Sequence, residues 1–439
     1  MPSNHSEIAK SILKNNWTGE FTKPAPHLYP HQWNWDSGFI ALGYSHFDIE
    51  KAKKELTHLF QGQWANGMLP QIQFKKEFGV SKYFPGEDFW QTTKVKDRPK
   101  NVSTSGITMP PVHGFILWRI YKNVTDKQSL IPFIKELFPK IKRLHQYLYV
   151  YRDPNHEGLP YIRHPWSSGT DNSPVWDEVM ETIEIEKFNL PNYERKDLQN
   201  KKAKSHRPSD RDYDRYVYLV DLFRKNNYDE ELLDQLSPFQ VQDPLFIGIL
   251  NYSNECMAKL ARLIDEDATP FLRWRNATTE GLNTKLWNSE NGRYDAYDLV
   301  NHKRITNFAC NSFIPLLSAT PSFEQAQRMI ETMFGEHLNN KENYSCPSFA
   351  LNKGTVNYEK YWRGPVWINI NWMLYLGCKR HGFLKEANII KNDSIELMEK
   401  FGFHEYFDPR KSIVENGYGT DNFSWSAALY LEFKNSATS

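Results

Sequence analysis

Apolar residues recur at the spacing of an α-helix along most of this chain. The clearest case is 49–64, where Ala52, Leu56, Leu59 and Phe60 fall on one face and lysines on the other. The same spacing predicts helices at 6–15, directly after Asp36, and at 110–122, 130–151, 213–225, 243–264, 268–287, 307–317, 323–333, 366–378, 383–400 and 423–433. The pattern therefore predicts about twelve helices.

The segments between these helices alternate between short and long. The long ones are rich in aromatic residues and fall at 27–35, 65–109, 152–172, 179–212, 336–365 and 401–422. Residues 65–104 read as long loops with one short strand pair. About twelve helices paired as hairpins can close into a toroid whose long loops surround one mouth. We therefore predict an all-α barrel with a cleft built from loops, as a single domain over 1–439.

One of the long loops differs in composition from the others. Residues 178–212 are strongly charged and contain the run ERKDLQNKKAKSHRPSD. A run of charges is usually a solvated surface. We interpret this segment as a cap or lid inserted into the barrel domain, rather than as a site for a macromolecular partner.

Composition excludes several classes of function. The chain has 54 basic and 53 acidic residues, a net charge of +1, which gives no electrostatic support for nucleic-acid binding. Its four cysteines, Cys256, Cys310, Cys346 and Cys378, form no CxxC pair, so reduced thiols are expected rather than disulfides or a zinc site. No stretch reaches the length of a membrane span or resembles a signal peptide. We expect a cytoplasmic protein with no membrane partner.

Sequence motifs for most other chemistries are missing. There is no GxSxG elbow, no GxGxxG or GxxxxGK[ST] loop and no HExxH spacing, so neither a bound metal nor a nucleotide is predicted. Aromatic residues are abundant, with 14 Trp, 23 Tyr and 27 Phe, and many lie beside polar and turn residues. Flat aromatic faces beside carboxylates and amides suit sugar rings. A small carbohydrate is the predicted partner.

The first candidate for chemistry is Asp171, in the stretch WSSGTDNSPVWD. Glycine, serine, asparagine and proline make this a turn, and Trp166 and Trp176 lie on either side of it. A carboxyl group among indoles loses hydration, which raises its pKa and suits a general acid. The alternative is that Asp171 only caps the following helix.

The second candidate is Glu405, in FHEYFDP, followed ten residues later by Glu415 in another glycine-rich aromatic loop. Both loops belong to the set that would surround the mouth of the barrel. Two carboxyl groups facing each other across a sugar supply the acid and the base that glycoside hydrolysis needs. The alternative is that Glu405 and Glu415 are ordinary surface acids.

Six motifs, in order along nearly the whole chain, resemble glycoside hydrolase family 63. They are WDSGF at 35–39, SGTDNSP at 168–174, RPSDRDYDRY at 207–216, YWRGPVW at 361–367, HEYFDP at 404–409 and GTDNFSW at 419–425. The likeness is strongest to the compact bacterial mannosylglycerate and glucosylglycerate hydrolases and weaker to the trehalases of family 37. It implies an (α/α)6 barrel, hydrolysis of an α-glycosidic bond with inversion, and no cofactor.

The resemblance also implies roles for individual residues. Asp171 matches the family's general acid and Glu405 its general base, with Glu415 as the fallback. Arg207 and Tyr213 match residues of the cap that reach the leaving group. The positions that surround the released sugar are matched by Tyr29, Trp33, Asp36, Trp166, Tyr361, Trp362 and Trp367.

Two positions depart from the pattern of the glycerate-hydrolysing members. They have glutamine where this chain has Met109, and a polar amide near Thr420. Both positions are expected on the side of the leaving group, and a lost polar partner changes discrimination strongly. We therefore predict an α-glucoside as substrate, either glucosylglycerate-like or an α-glucosyl disaccharide.

Several alternatives stay open. The substrate could be mannosylglycerate, or the enzyme could be trehalase-like. A non-catalytic sugar-binding toroid and a sugar epimerase are alternatives from other classes, although an epimerase would need catalytic histidines. The oligomeric state is open, and a homo-oligomer is compatible with the sequence.

Overall fold

The structure is a computed structural model that describes residues 4–75, 83–185, 190–198, 206–335, 342–351 and 356–435. Helices dominate it. They are α1 Asn4–Asn16, α2 Asn34–Tyr44, α3 Ile49–Gln61, α4 Glu87–Trp90, α5 His113–Asn123, α6 Ile131–Tyr151, α7 Asp177–Glu181, α8 Asp210–Lys225, α9 Glu230–Leu236, α10 Pro244–Leu263, α11 Thr269–Gly281, α12 Phe323–Met333, α13 Ile368–Arg380, α14 Leu384–Phe401 and α15 Ser424–Asn435. Among the described residues, no helix has the length and apolar character needed to cross a bilayer.

Six helical segments contact one another in sequence, and the last returns to the first. They are α2, α5, α10, the 3-10 helix Cys310–Leu317, α13 and α15. Each of the six also packs against one or more further helices, as α3 does against α2 and α14 against α13. All eleven residues of α2 are buried, as expected of a helix enclosed on every side.

Local sequence explains where several helices begin and end. Ser209 and Asp212 form a reciprocal capping box at the start of α8, three residues before the predicted start at 213. Asp243 caps α10 by accepting hydrogen bonds from the backbone of Leu245 and Phe246. The predicted α-helix at 307–317 is instead the 3-10 helix Cys310–Leu317, which contains Pro315. Pro315 has no N–H to donate to a carbonyl three or four residues earlier, so the hydrogen-bond ladder of this segment is interrupted there.

The strands are short and lie in the loops. They are β1 Gln32–Trp33, β2 Ile72–Phe74, β3 Ser103–Thr104, β4 Val241–Gln242, β5 Trp287–Asn288, β6 Arg293–Tyr294, β7 Ala296–Asp298, β8 Lys303–Ile305, β9 Tyr406–Phe407 and β10 Gly417–Tyr418. β1, β2 and β3 form one antiparallel sheet, so the predicted strand pair in 65–104 is confirmed and gains a third strand. β9 pairs with β10, with Tyr406 opposite Tyr418.

The two ends of the described chain meet in a buried seam. Asn16, the last residue of α1, donates through Nδ2 to Asn422 O and to Ser424 Oγ, both at 2.9 Å. Ser424 in turn donates from Oγ to Lys23 O at 2.6 Å and from its backbone N to Pro24 O at 2.8 Å. The segment that leads into α2 is thereby bonded to the segment that leads into α15.

The predicted cap at 178–212 is described in part. It contains α7, the segment 190–198 and the start of α8, whereas 186–189 and 199–205 lie outside the described residues. In 190–198, the ring of Tyr193 stacks on Phe84 and Tyr213, with centroids 5.3 and 5.8 Å apart. This segment therefore packs on the loop before α4 and on α8.

Candidate active site

Two adjoining cavities lie where the long loops converge. The outer cavity has a volume of about 760 Å3. The inner cavity is lined by Pro24, Tyr29, Trp33, Trp35, Asp36, Gln71, Met109, Gly169, Asp171, Tyr361, Trp362, Glu405, Phe423 and Trp425. Five residues line both cavities: Tyr29, Trp33, Gln71, Asp171 and Tyr361. Asp171 therefore lies at the junction.

Asp171 is held by the turn that its sequence predicts. Short 3-10 helices, Pro165–Ser168 and Pro174–Trp176, stand on either side of it. Trp176 Nε1 donates to Thr170 O at 2.9 Å, and Tyr216 donates its hydroxyl to Asp171 O at 3.0 Å. Burial raises the pKa of the Asp171 carboxyl to about 7; the negative charge of Glu405 adds to the rise, and Arg207 opposes it.

Glu405 directly precedes β9 and is 1% exposed. Its Oε1 accepts hydrogen bonds from the hydroxyls of Tyr29 at 2.7 Å and Tyr361 at 3.2 Å. Its Oε2 accepts no hydrogen bond from the described residues and lies 3.8 Å from Arg207 Nη2. Burial raises the pKa of Glu405, while Arg207 and the two tyrosine hydroxyls oppose the rise. Oε1 is thus held by two hydrogen bonds, whereas Oε2 has no hydrogen-bond partner among the described residues.

Arg207 was predicted to contact the leaving group, and in the structure it also lies close to Glu405. It is 7% exposed, and its guanidinium lies over the ring of Tyr361, 4.8 Å from the centroid. It also donates to the hydroxyl oxygen of Tyr29 at 3.3 Å. Arg207 therefore contacts the surroundings of Glu405 as well as lining the outer cavity.

Asp36 and a group of indoles form the wall of the inner cavity. Asp36 lies in the first turn of α2, and its pKa is raised well above the ordinary value, first by burial and then by Glu405 and Asp171. Trp362 stacks flat on Trp367, with ring centroids 3.7 Å apart. Trp362 faces the cavity, and Trp367 lies behind it.

The structure brings most of the predicted residues together. Tyr29, Trp33, Asp36, Tyr361 and Trp362 line the inner cavity with Asp171 and Glu405. Arg207, Tyr213 and Thr420 line the outer one, as expected of contacts to a leaving group.

Four placements differ from the predictions. Met109 was expected beside the leaving group, yet it lines the inner cavity. Trp166 was expected around the released sugar, yet it lines the outer cavity near Tyr213. Trp367 lines neither cavity. Glu415, the fallback base, is exposed at the rim of the outer cavity and does not line the inner cavity with Asp171.

One polar residue of the junction, Gln71, was not predicted from the sequence. It is 6% exposed, and its Oε1 is buried without a hydrogen-bond partner among the described residues. A buried amide left unpaired is costly, which points to a partner supplied by a ligand. No local signal identifies it, because a single glutamine in a loop has no pattern. Trp35 and Trp425, also not predicted, belong to the motifs WDSGF and GTDNFSW that carry the family resemblance.

Comparison with known proteins identifies the family of this chain. Residues 29–426 match a family model described as the mannosylglycerate hydrolase MGH1-like glycoside hydrolase domain. A mannosylglycerate hydrolase of Rubrobacter radiotolerans is 40% identical over 437 residues, 97% of this chain and 95% of the relative. A glucosylglycerate hydrolase of Mycolicibacterium hassiacum is 30% identical over 444 residues, 98% of each chain.

Comparison with solved structures indicates the same family. The family 63 mannosylglycerate hydrolase of Thermus thermophilus, in complex with Tris and D-glycerate, is 40% identical with a TM-score of 0.90, covering 98% of this chain and 100% of that one. A neutral trehalase of Saccharomyces cerevisiae, 15% identical, has a TM-score of 0.55 over 93% of this chain and 72% of its own. The trehalase shares the fold alone.

Proposed function

Because this chain belongs to the mannosylglycerate hydrolase MGH1-like glycoside hydrolases of family 63, as its motifs predicted, we propose that it hydrolyses an α-glycoside of glycerate with inversion at the anomeric carbon. One observation carries the proposal: two carboxyl groups, Asp171 and Glu405, line the same aromatic cavity. We also infer that the closed ring of six helical segments is the inner layer of an (α/α)6 barrel, which the helices packed against that ring support.

In this proposal the inner cavity binds the sugar that is released. Indoles of Trp35, Trp362 and Trp425 offer flat apolar faces to the C–H bonds of a pyranose ring. Asp36, in the first turn of α2, holds sugar hydroxyls. The same walls keep bulk water away from the reacting bond, which strengthens every electrostatic interaction there.

Asp171 is the proposed general acid. Its raised pKa keeps the carboxyl protonated near neutral pH, and its place at the junction of the cavities is where the bond to the leaving group would lie. Asp171 gives its proton to the glycosidic oxygen as the bond from that oxygen to the anomeric carbon breaks.

Glu405 is the proposed general base. The two tyrosine hydroxyls donate to Oε1, whereas Oε2 is buried and has no hydrogen-bond partner among the described residues, so Oε2 is the oxygen assigned to the attacking water. Glu405 accepts a proton from this water as its oxygen bonds to the anomeric carbon. The products are the sugar with inverted anomeric configuration and the free alcohol, and solvent then returns the proton from Glu405 to Asp171. Space for the water predicts carboxyl groups roughly 6.5–9.5 Å apart.

The outer cavity is the proposed site of the leaving group. Glycerate is an anion, and Arg207 presents a guanidinium that lines this cavity and matches a carboxylate well. Thr420 lines the same wall, and Gln71 presents its unpaired amide at the boundary between sugar and leaving group.

Mannose is the first candidate for the sugar, because mannosylglycerate hydrolases from two organisms are 40% identical to this chain. Glucose is the second, because a glucosylglycerate hydrolase is 30% identical over nearly the full length of both chains. Met109 lines the sugar cavity, so its thioether would contact the pyranose rather than the glycerate.

The test is incubation with mannosylglycerate, glucosylglycerate, trehalose, kojibiose, nigerose and maltose, with the first anomer of the product followed by proton NMR. We expect cleavage of a glycerate glycoside and initial release of the β-anomer. Initial release of the α-anomer would contradict inversion. Cleavage of a disaccharide, but of neither glycerate glycoside, would contradict the proposed leaving group.

A further inference from the structure

A single carboxylate lies on the buried face of α3. Glu55 is 0% exposed and shares that face with Ala52, Leu56, Leu59 and Phe60. The described residues place no cation within ion-pair distance of it. Its oxygens are satisfied by hydrogen bonds alone. Such an arrangement is unusual, because a carboxylate is almost never fully buried without a paired charge.

The three hydrogen-bond donors to Glu55 come from two segments that lead into the active site. Thr22 N donates to Oε2 at 2.7 Å, two residues before Pro24 of the inner cavity. Gln32 Nε2 and Ser37 Oγ both donate to Oε1, at 3.1 and 2.6 Å. Gln32 also accepts from His58 Nδ1 at 2.6 Å through its own Oε1, which fixes the orientation of its amide.

Gln32 and Ser37 enclose four residues between them, and three of these line the inner cavity: Trp33, Trp35 and Asp36. The fourth, Asn34, donates from Nδ2 to Pro70 O at 2.9 Å. The start of α2 lies in this segment, yet Trp33 at the cap position gives the helix no side-chain hydrogen bond. The bonds to Glu55 therefore hold a helix start that lacks the usual cap.

We propose that Glu55 is a positioning residue for the hydrolysis, which orients residues 33–36, and Asp36 above all, from behind the wall of the sugar cavity. The inference rests on the proposed function of that cavity. Glu55 lines neither cavity and so cannot touch substrate. Its effect is transmitted by Ser37, the neighbour of Asp36, and by Gln32, the neighbour of Trp33.

The substitution Glu55→Gln keeps the shape of the side chain but replaces one accepting oxygen with an NH2 group, which would face either Thr22 N or Gln32 Nε2, and neither of these nitrogens can accept a hydrogen bond. We expect kcat to fall roughly 10–100-fold and KM to change less than about threefold, because small misplacements near the reacting atoms cost rate. The matched control is Glu255→Gln on α10. Glu255 is also buried and bonded to Ala319 N and Arg380, but it lines neither cavity. The control should stay within about twofold of wild type.

A double-mutant cycle separates positioning from general destabilisation. If Glu55 acts through Asp36, Glu55→Gln combined with Asp36→Asn should lose no more than about twofold beyond Asp36→Asn alone. If the fold-loss of kcat in the double variant equals the product of the losses in the two single variants, the inference is overturned. Where Glu55→Gln fails to fold, Ser37→Ala removes one bond without altering a buried charge and should lower kcat roughly 3–10-fold.

A crystal structure of Glu55→Gln, or of Ser37→Ala where Glu55→Gln does not fold, tests the inference independently of any substrate. We expect the Asp36 carboxylate to shift by more than about 0.5 Å. Residues 33–36 in unchanged positions would overturn the role of Glu55, whether or not the wild type hydrolyses a glycerate glycoside. Absence of hydrolysis by the wild type, with the expected shift present, would count against the proposed function alone.

Discussion

Three carboxyl groups line the inner cavity, and the guanidinium of Arg207 lies 3.8 Å from one of them, Glu405. Burial raises the pKa of Asp36, Asp171 and Glu405, and Arg207 is the positive charge that opposes the rise in both catalytic candidates. Three negative charges cannot all be accommodated in a dry cavity beside one cation. Protons are therefore retained at neutral pH, which is the state that a general acid requires.

Substituting either proposed catalytic carboxyl group should abolish most of the activity while the protein still folds. We expect Asp171→Asn and Glu405→Gln each to lower kcat by roughly 100–10,000-fold, the usual contribution of general acid or base catalysis. The measurement is steady-state hydrolysis of the best substrate, with circular dichroism as the check on folding. Glu415→Gln is the matched control and should stay within about twofold of wild type. A strong loss in Glu415→Gln would move the base to that residue.

The dependence of kcat/KM on pH should be bell-shaped. Asp171 must hold its proton, and its pKa of about 7 predicts that the rate falls as pH rises through about 7. Glu405 must be ionised, and its raised pKa predicts an acid limb above the ordinary titration of glutamate, about 4.3. The two limbs belong to a coupled pair. The measurement is the residual activity of Asp171→Asn from pH 4 to 9, which should lack the fall at alkaline pH. If the fall persists in this variant, a group other than Asp171 causes it.

At the residue scale, motifs identified the three carboxyl groups of the inner cavity, although Trp367, also in a motif, lines neither cavity. Asp171, Glu405 and Asp36 were predicted from such surroundings, and all three line the inner cavity. Sequence reasoning fails for Gln71 and Glu55, because a glutamine in a loop and a glutamate in an amphipathic helix look like surface residues. Only the fold shows that each is buried, one with an unpaired amide and the other with three donors.

At the scale of elements, the hairpin of β9 and β10 positions Glu405 at the inner cavity. Glu405 N donates to Thr420 O at 3.0 Å, and the backbone of Gly419 passes so close that a Cβ there would overlap Glu405 Oε2. Gly419 also has φ +76°, a conformation that glycine adopts without strain. The position of the Glu405 carboxyl group thus depends on a residue with no side chain.

The substitution Gly419→Ala should therefore damage activity more than stability. We expect kcat to fall at least tenfold, because the new methyl group must displace the carboxylate of Glu405, the proposed general base. The control is Gly382→Ala, where φ is +84° but an added methyl group would have no neighbouring atom within 4 Å. It should destabilise by about 1 kcal/mol through backbone strain and leave kcat unchanged. Equal kcat values in the two variants would contradict the role of the close approach.

Helix positions were largely predictable, because amphipathic periodicity is strong in α3 and α12, whose observed and predicted ranges nearly coincide. The errors have local causes. The start of α8 follows its capping box, whose polar residues precede the first apolar residue of the helical pattern. Met109 lies in the loop between β3 and α5, and helical periodicity does not specify which cavity that loop lines.

At the scale of the whole molecule, one buried ionic network joins helix ends remote from the cavities. Glu432 of α15 accepts from Arg119 of α5, from Asn123 at 3.0 Å, and pairs with His46 at 2.7 Å. These interactions lower the pKa of Glu432 to about 2, despite the opposing effect of burial. Its carboxylate is the common acceptor between α5, α15 and the turn after α2.

Glu432→Gln should lower the free energy of unfolding by about 3 kcal/mol at pH 7, because it leaves Arg119 buried without its counter-charge. The wild-type advantage is complete above the unfolded pKa, about 4.5, and is lost as pH falls toward 2. Urea unfolding at pH 7 and at pH 3 would show a large difference between wild type and variant at pH 7 and a smaller one at pH 3. Glu399→Gln, whose partners are Tyr430 and partly exposed Lys434, is the control and should cost below about 1 kcal/mol. A difference that is the same at both pH values would contradict the role of the charge.

The seam between Asn16 and Ser424 affects the order in which parts of the molecule can fold during synthesis. These partners are separated by 408 residues along the chain, yet Pro24, next to the seam, is part of the inner cavity. A ribosome adding about 5–20 residues per second needs roughly 20–85 s to travel from one to the other. The nascent chain can fold its early helices during that interval, but the inner cavity can close only after Ser424 has been synthesised.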